Sequence, residues 1–146
     1  MNHAHIYVPK RGEIYRALSV QQPWASMIVF GMKTIEKRTT NFHHRGPILI
    51  HASTRDSVSM IEDLDKIGMS LEAYRELPRG CYIGIATLKD VKRRRTRKDG
   101  KKRYGLELGH PRFFRKPVVA PGELGVYLPS AEVWRKIRKQ IMELEY

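Results

Sequence analysis

Apolar positions in the first third of the chain recur in short runs that predict three strands and one helix. The run Tyr15–Val20 is typical of a strand, and the run Pro47–Ala52 is apolar enough for a buried strand. Between them, Trp24–Phe30 carries apolar residues at helical spacing, directly after a proline that a first helical turn tolerates. Gly31 is expected to end that helix at C′, and Lys33–Arg38 to form a further short strand.

Polar residues at helix-capping positions predict three more helices. Ser53 is expected to N-cap a helix that runs to about Ile67, with Asp56 as a capping-box-like acid. Ser70 is expected to cap a short helix, LEAYREL, and Ser130 a closing helix. In the closing helix one apolar face is formed by Val133, Trp134, Ile137, Ile141 and Leu144.

Two strand-like stretches flank a basic segment at 92–103 and predict a long hairpin. CYIGIATLKDV precedes the segment and YGLEL follows it, while Asp99-Gly100 is a dipeptide favoured in tight hairpin turns. The triplet Gly109-His110-Pro111 is expected to break the second strand, because its residues do not suit a ladder. A proline-containing loop then leads to a final strand, LGVYL.

The order of these elements defines the fold class. About six short strands with two to three flanking helices and a C-terminal helix, in no strand–helix–strand alternation, predict an α+β domain on a small β-barrel. We divide the chain into an irregular leader (1–13) and a single domain (14–146), whose last part is the helix at 130–145.

Charge narrows the range of partners. Lys and Arg number 28 against 15 Asp and Glu, which gives a formal net charge of +13. Such an excess favours polyanions, nucleic acid before an acidic membrane surface. The lone Cys81 excludes an internal disulfide framework and favours a reducing, cytoplasmic setting. Neither a membrane-spanning run nor a signal-peptide core is found, and we expect a monomer that does not bind membranes.

The basic segment concentrates most of that excess and is called the cationic hairpin below. It can be a solvated loop or an arm that binds a phosphate backbone, and the density of like charge favours the arm. Five phosphate contacts would give a log–log salt slope of about −3.5 on single strands and about −4.5 on duplex. The candidate backbone contacts are Lys92, Arg93, Arg94, Arg95, Arg97, Lys98, Lys101, Lys102 and Arg103.

A second group of residues offers the parts of a nucleotide site. Strand alternation points Glu36 and Arg38 to one side, and Lys33 follows a glycine turn next to them. With Trp24 nearby, the group supplies a stacking face, two cations and one acceptor. The same residues could act in hydrolysis, with Glu36 as general base and Lys33 polarising an oxygen. The structural alternatives are an ion pair, a core Trp24 and a core or rim His51.

These residues also carry a family resemblance. Gly31, Lys33, Glu36 and Arg38 fit the pattern G-x-K-x-x-E-x-R, and Ser19-x-x-Gln22-Pro23-Trp24-Ala25 precedes it. With the stretches 77–88, 104–112 and 121–129, the chain resembles the ASCH domain, a relative of the PUA domain, in its stand-alone prokaryotic form. The resemblance covers about 15–129. It implies a PUA-like barrel with a cleft beside the first helix and a nucleic-acid ligand. The candidate ligand-binding residues are Ser19, Gln22, Pro23, Trp24, Lys33, Glu36, Arg38, Arg45 and His51.

The resemblance leaves three classes of function open. We favour a nucleic-acid binding module, RNA before DNA, that holds a nucleotide in the cleft and backbone on the cationic hairpin. The second class is a small hydrolase. Amidohydrolases of the family that act on modified cytidine use a Lys followed by a Thr three residues later, but Glu36 stands at the Thr position here. A metal-dependent ribonuclease would need Mn²⁺ or Mg²⁺ and a second acid, such as Glu107 or Glu123; otherwise no metal or cofactor is expected. The third is an interaction module in transcription regulation.

Overall fold

The computed structural model describes residues 6–55, 60–96 and 98–145. Within these ranges the strands form a six-stranded sheet, which curls into a half-barrel, and four helices pack around it. The elements are β1 (Arg16–Val20), α1 (Trp24–Val29), β2 (Ile35–Arg38), β3 (Gly46–Ala52), α2 (Met60–Ile67), α3 (Leu71–Glu76), β4 (Cys81–Arg94), β5 (Arg103–Val119), β6 (Val126–Tyr127) and α4 (Ala131–Met142).

The sheet runs in the order β2-β5-β4-β3-β1-β6, so that β2 and β6 are its edges. β1 pairs with β3 in parallel, with Ser19 opposite His51, and the other pairs are antiparallel. The α+β class and the PUA-like sheet predicted from the sequence are confirmed. None of the helices described here has the length and apolarity that crossing a bilayer requires.

The two faces of the sheet are covered by different helices. Because side chains alternate along β1, Leu18 packs on one face with Ala25 and Ile28 of α1. Ala17 packs on the other face, where Trp134 and Ile137 of α4 are buried. A smaller cluster between α2 and α3 is formed by Leu64, Tyr74 and the partly buried Ile67, Met69 and Leu77.

Two of the predicted helix starts have the expected caps. The Ser70 hydroxyl accepts a hydrogen bond from the Ala73 backbone N–H at 3.1 Å, and the Ser130 hydroxyl accepts one from the Val133 N–H at 3.3 Å. Gly31 follows α1 with φ +78°, as a C′ glycine does. The leader has no strand or helix over residues 6–13, yet Tyr7 is buried against the sheet.

The predicted cap at Ser53 was wrong. Residues 53–55 are not helical, and the Ser53 hydroxyl instead accepts a hydrogen bond from the Arg55 N–H at 3.1 Å. This is a local serine turn, which satisfies the hydroxyl without a helix. Asp56, the predicted capping-box acid, lies outside the described residues.

The predicted break at Gly109-His110-Pro111 was also wrong, because β5 continues through it to Val119. Thr87 pairs with Gly109 and Ile85 with Arg112, so the register shifts at the triplet. His110 has φ +49°, and a bulge of this kind accommodates the proline without ending the strand.

The hairpin itself is present, but its turn is longer than the dipeptide suggested. The last pair is Arg94 with Arg103, which leaves an eight-residue loop. In that loop the Asp99 Oδ1 accepts a hydrogen bond from the Lys101 N–H at 2.9 Å, and Gly100 has φ +75°. The cationic hairpin therefore has a paired base on β4 and β5 and a wider tip.

Candidate functional site

A buried carboxylate organises the residues of the G-x-K-x-x-E-x-R pattern. Glu36 is only 8% exposed, whereas its neighbours Ile35 and Lys37 are exposed, so strand alternation places the carboxylate on the covered face of β2. Its Oε2 accepts two hydrogen bonds from Arg38, at 3.0 Å from Nε and 2.8 Å from Nη2. Its Oε1 lies 3.8 Å from the Lys33 Nζ. One carboxylate thus holds two cations at fixed positions, as charge-assisted pairs do.

Arg38 also links two parts of the sheet. Its Nη2 donates a second hydrogen bond to the Ser19 carbonyl oxygen at 2.7 Å. Ser19 belongs to β1, whereas Arg38 is at the end of the edge strand β2. The guanidinium therefore positions the rim of the site relative to both strands.

Lys33 lies where its charge is partly desolvated. Its Nζ is 5.3 Å from the centre of the Trp24 ring, which is a cation–π distance. Burial is the main cause that lowers the pKa of Lys33, and the positive charges of Lys37, Arg38 and Arg94 lower it further, while Glu36 opposes the shift. An anion bound beside Lys33 would relieve this repulsion.

These side chains line a cleft of about 720 Å³ at the carboxyl end of β1. We call it the strand-end cleft. It includes the predicted Ser19, Trp24, Lys33, Glu36 and Arg38. Residues that the sequence did not single out for it include Gln21, Lys37, Ser53, Arg55, Asp63 and Leu124. Lys37 and Arg55 give no periodic or motif signal, since only the fold brings β2 and the chain after β3 to one place.

His51 lines a neighbouring cavity of about 620 Å³ instead of the strand-end cleft. Its Nε2–H donates to the Ala120 carbonyl at 2.7 Å, so its Nδ1 accepts the hydrogen bond from the Ser19 hydroxyl at 3.2 Å. Burial lowers the pKa of His51 and favours this neutral form. Gly122 passes directly over the Ser19–His51 contact, where a Cβ would overlap both side chains.

The base of the cationic hairpin adjoins the strand-end cleft. Arg94, Arg95 and Arg103 line a basin of about 770 Å³. The remaining lining residues are Lys37, Arg38 and Thr39. Lys37 and Arg38 line both the basin and the cleft, so the two predicted binding regions adjoin along these two cations.

The other hairpin cations differ in their surroundings. Lys92 Nζ lies 3.1 Å from a Glu107 carboxylate oxygen, and this hydrogen bond raises the pKa of Lys92. Arg103 Nη2 lies 3.2 Å from Asp99 Oδ2. Arg97 lies outside the described residues. The exposed positions Arg93, Lys98, Lys101 and Lys102 are in no ion pair within the described chain.

Besides His51, three of the candidate ligand-binding residues do not line the strand-end cleft. Gln22 is fully buried, donates from Nε2 to the Pro78 carbonyl at 2.8 Å and accepts from the Ser26 N–H at 3.0 Å. Pro23 is the buried N-cap of α1. Arg45 donates to two loop carbonyls and lies 3.6 Å from Asp90. These side chains are occupied by contacts that hold α1 and the β2–β3 connection.

The fold shows which other carboxylates lie in the cleft with Glu36, as the second acid of a metal-dependent ribonuclease would have to. Glu107 pairs opposite Ile35, so alternation sends it to the other face of β2 and β5. Glu123 and Asp63 do line the strand-end cleft. Across the part of the chain that the structure describes, no three His, Cys, Asp or Glu side chains come close enough to hold a metal ion.

These features define a class of protein: an α+β domain with a curled sheet and a cationic cleft beside its first helix. The chain belongs to the ASCH domain family, whose sequence model matches residues 18–137. Among solved structures it is similar to ASCH from Zymomonas mobilis, at 16% identity and a TM-score of 0.57, covering 86% of this chain and 94% of that one. The chain is also similar to a mutant form of that protein, at 16% identity and a TM-score of 0.57, covering 90% of this chain and 98% of that one.

Among curated proteins the chain is similar to activating signal cointegrator 1 from Homo sapiens and from Mus musculus. Each is 35% identical over 79 residues, which is 50% of this chain. The matched part is only 14% of the length of either relative. Family and relatives together suggest a nucleic-acid-related domain.

Proposed function

We propose that this protein binds nucleic acid, RNA in preference to DNA, with one nucleotide in the strand-end cleft and the adjoining phosphates on the cationic hairpin. The observation that carries the proposal is the shared lining of cleft and basin by Lys37 and Arg38. A strand that leaves the cleft toward the base of the hairpin passes the two cations that both linings share. One ligand can therefore use both regions.

Each part of the cleft has a role in this proposal. Trp24 offers an aromatic surface and Lys33 a cation beside it, which suits a base and its phosphate. The Glu36 carboxylate is already engaged by Arg38 and Lys33, so it holds these cations in place more than it accepts from the ligand. Asp63 and Glu123 at the rim can accept from a ribose 2′-hydroxyl, the group that distinguishes RNA from DNA.

The test is a titration of labelled single-stranded RNA, duplex RNA and duplex DNA at several salt concentrations. We expect tightest binding to single-stranded RNA, with a log–log salt slope of about −3.5 for about five contacts. The Lys37→Gln variant, which lies in both regions, should weaken binding and make the slope shallower by about 0.7 on single-stranded RNA. No binding to any of the three would overturn the proposal, and tighter binding to duplex DNA would overturn the RNA preference.

A hydrolase is the second candidate, favoured by the lowered pKa of Lys33 at 3.8 Å from Glu36. A lysine with a lowered pKa beside a carboxylate is a combination that active sites use. To test for hydrolysis, the same binding reactions are run on a gel with and without Mn²⁺ or Mg²⁺, so that cleaved RNA is seen. A parallel reaction contains an N-acylated cytidine as substrate. Turnover that disappears in Lys33→Gln while binding persists would make the protein an enzyme; intact substrate in all lanes supports the binding module.

A further inference from the structure

A second cationic surface lies on α4, away from both regions described above. We call it the helix-4 surface; it comprises Lys10, Arg11, Arg135, Lys136, Arg138 and Lys139. Four of these residues line a cavity of about 580 Å³ between α4 and the turn that precedes β1. Lys10 and Arg11 form one wall, and Arg135 and Arg138 form the other.

The helix-4 surface has more cations than acidic neighbours. Their acidic neighbours in sequence are Glu13, which also lines the cavity, Glu132 and Glu143. Glu13 Oε1 accepts a hydrogen bond from the Lys10 backbone N–H at 2.9 Å. None of the six cations is in an ion pair within the described residues. Crowded cations of this kind repel one another until an anion binds.

The backbone under these cations is held firmly. Trp134, Ile137 and Ile141 are buried against the sheet, and the Trp134 ring meets the Tyr15 ring edge-on at 5.4 Å. The Gln140 Oε1 accepts a hydrogen bond from the Lys116 N–H at 2.8 Å and fixes α4 to β5. Binding an anion here orders only side chains, which keeps its entropic cost low.

The helix-4 surface and the strand-end cleft are on opposite faces of the sheet, since α1 packs on one and α4 on the other. We propose, building on the function proposed above, that the helix-4 surface binds the phosphate backbone of a second nucleic-acid segment while the first occupies the cleft and hairpin. Trp134, Ile137 and Ile141 of α4 are buried in the core, and Met142 at the last turn is the large apolar side chain that α4 exposes, which is too little apolar surface for an amphipathic membrane helix. Cations on two facing walls suit a phosphate chain that passes between them.

The test compares matched charge variants in a bridging assay. One RNA carries a donor dye and another an acceptor dye, and energy transfer reports that one protein holds both. We expect transfer with the unaltered protein. Arg135→Gln with Arg138→Gln should abolish the transfer, yet leave binding of a single short RNA within about twofold. The control, Lys66→Gln with Arg75→Gln, removes the same charge from exposed positions on α2 and α3 and should leave the transfer unchanged.

The outcomes separate this inference from the proposed function. RNA binding without transfer, or transfer that survives Arg135→Gln with Arg138→Gln, overturns the second surface and leaves the first. No RNA binding at all overturns both. Phosphatidylserine vesicles are titrated in parallel, and vesicle binding lost in the α4 variant, with unchanged RNA bridging, would reassign the surface to membranes. Unfolding midpoints of the variants check that the fold is intact, which is expected because both arginines are exposed.

Discussion

The strand-end cleft and the tip of the cationic hairpin carry similar side chains in opposite circumstances. In the cleft, Lys33 and Arg38 are partly buried and share one carboxylate. At the tip, Lys98, Lys101 and Lys102 are exposed on a loop outside the strand ladder. Under the proposed function, we therefore expect the cations in the cleft to contribute both to the stability of the fold and to ligand binding, and those at the tip to contribute to ligand binding alone.

The largest effect that tests this contrast is on binding. Replacing Arg94, Arg95, Lys101 and Lys102 by Gln removes up to four phosphate contacts, which should make the log–log salt slope shallower by about 2.8 on single-stranded RNA. The free energy of unfolding should stay within about 0.5 kcal/mol of the original, because all four side chains are exposed. Fluorescence titrations and urea unfolding measure the two quantities. An unchanged slope would contradict a role of the hairpin in binding.

The next effect is on stability. Glu36→Gln removes the charge that holds Lys33 and Arg38, and we expect the free energy of unfolding to fall by about 2–3 kcal/mol. Glu107→Gln is the matched control, because it breaks a solvent-exposed pair with Lys92, and we expect a much smaller loss of stability than for Glu36→Gln. Urea denaturation of both variants compares them. Equal losses would mean that burial of the cleft pair has no energetic consequence.

Alanine substitutions at two glycines compare the stability of the backbone near the cleft with that at the hairpin tip. Gly122→Ala places a methyl group against the Ser19 hydroxyl and His51 ring, so the loop must move and we expect a loss of about 1–3 kcal/mol. At the hairpin tip, the methyl group of Gly100→Ala would meet no atom within 4 Å. Only the backbone φ of +75° disfavours alanine there, and we expect a loss of about 1 kcal/mol. Thermal unfolding ranks the two. A smaller loss for Gly122→Ala would show that the loop over His51 is adaptable.

The smallest expected effect is a pair of opposite pKa shifts. Burial lowers the pKa of Lys33, whereas the Glu107 hydrogen bond raises the pKa of Lys92. Between the lowered pKa of Lys33 and the ordinary lysine value the unfolded chain binds more protons, so this residue makes stability rise with pH there. Lys92 has the opposite effect on stability: its contribution to the free energy of unfolding is lost as the pH rises through its raised pKa. NMR titration of labelled lysines, assigned with Lys33→Gln and Lys92→Gln, measures both; shifts of one sign would contradict the contrast.

Sequence reasoning succeeded where local patterns govern the structure. Strand alternation predicted that Glu36 and Arg38 point to one side, and their side chains are hydrogen-bonded. The caps at Ser70 and Ser130 follow the same local logic. Sequence reasoning failed where strand register or a contact between distant residues determines the structure. The bulge at His110 absorbs a proline that local rules treat as a break, and nothing near Gln22 in sequence shows that its amide reaches the Pro78 carbonyl.

The hydrogen bond from Arg38 to the Ser19 carbonyl has a mechanical consequence. β2 and β1 are not neighbours in the sheet, so this contact acts as a clasp across the open side of the half-barrel. The strand pairings do not depend on this side chain, because the sheet runs from β2 to β1 through β5, β4 and β3. We therefore expect a substitution of Arg38 to change the width of the cleft while the order of the strands stays the same.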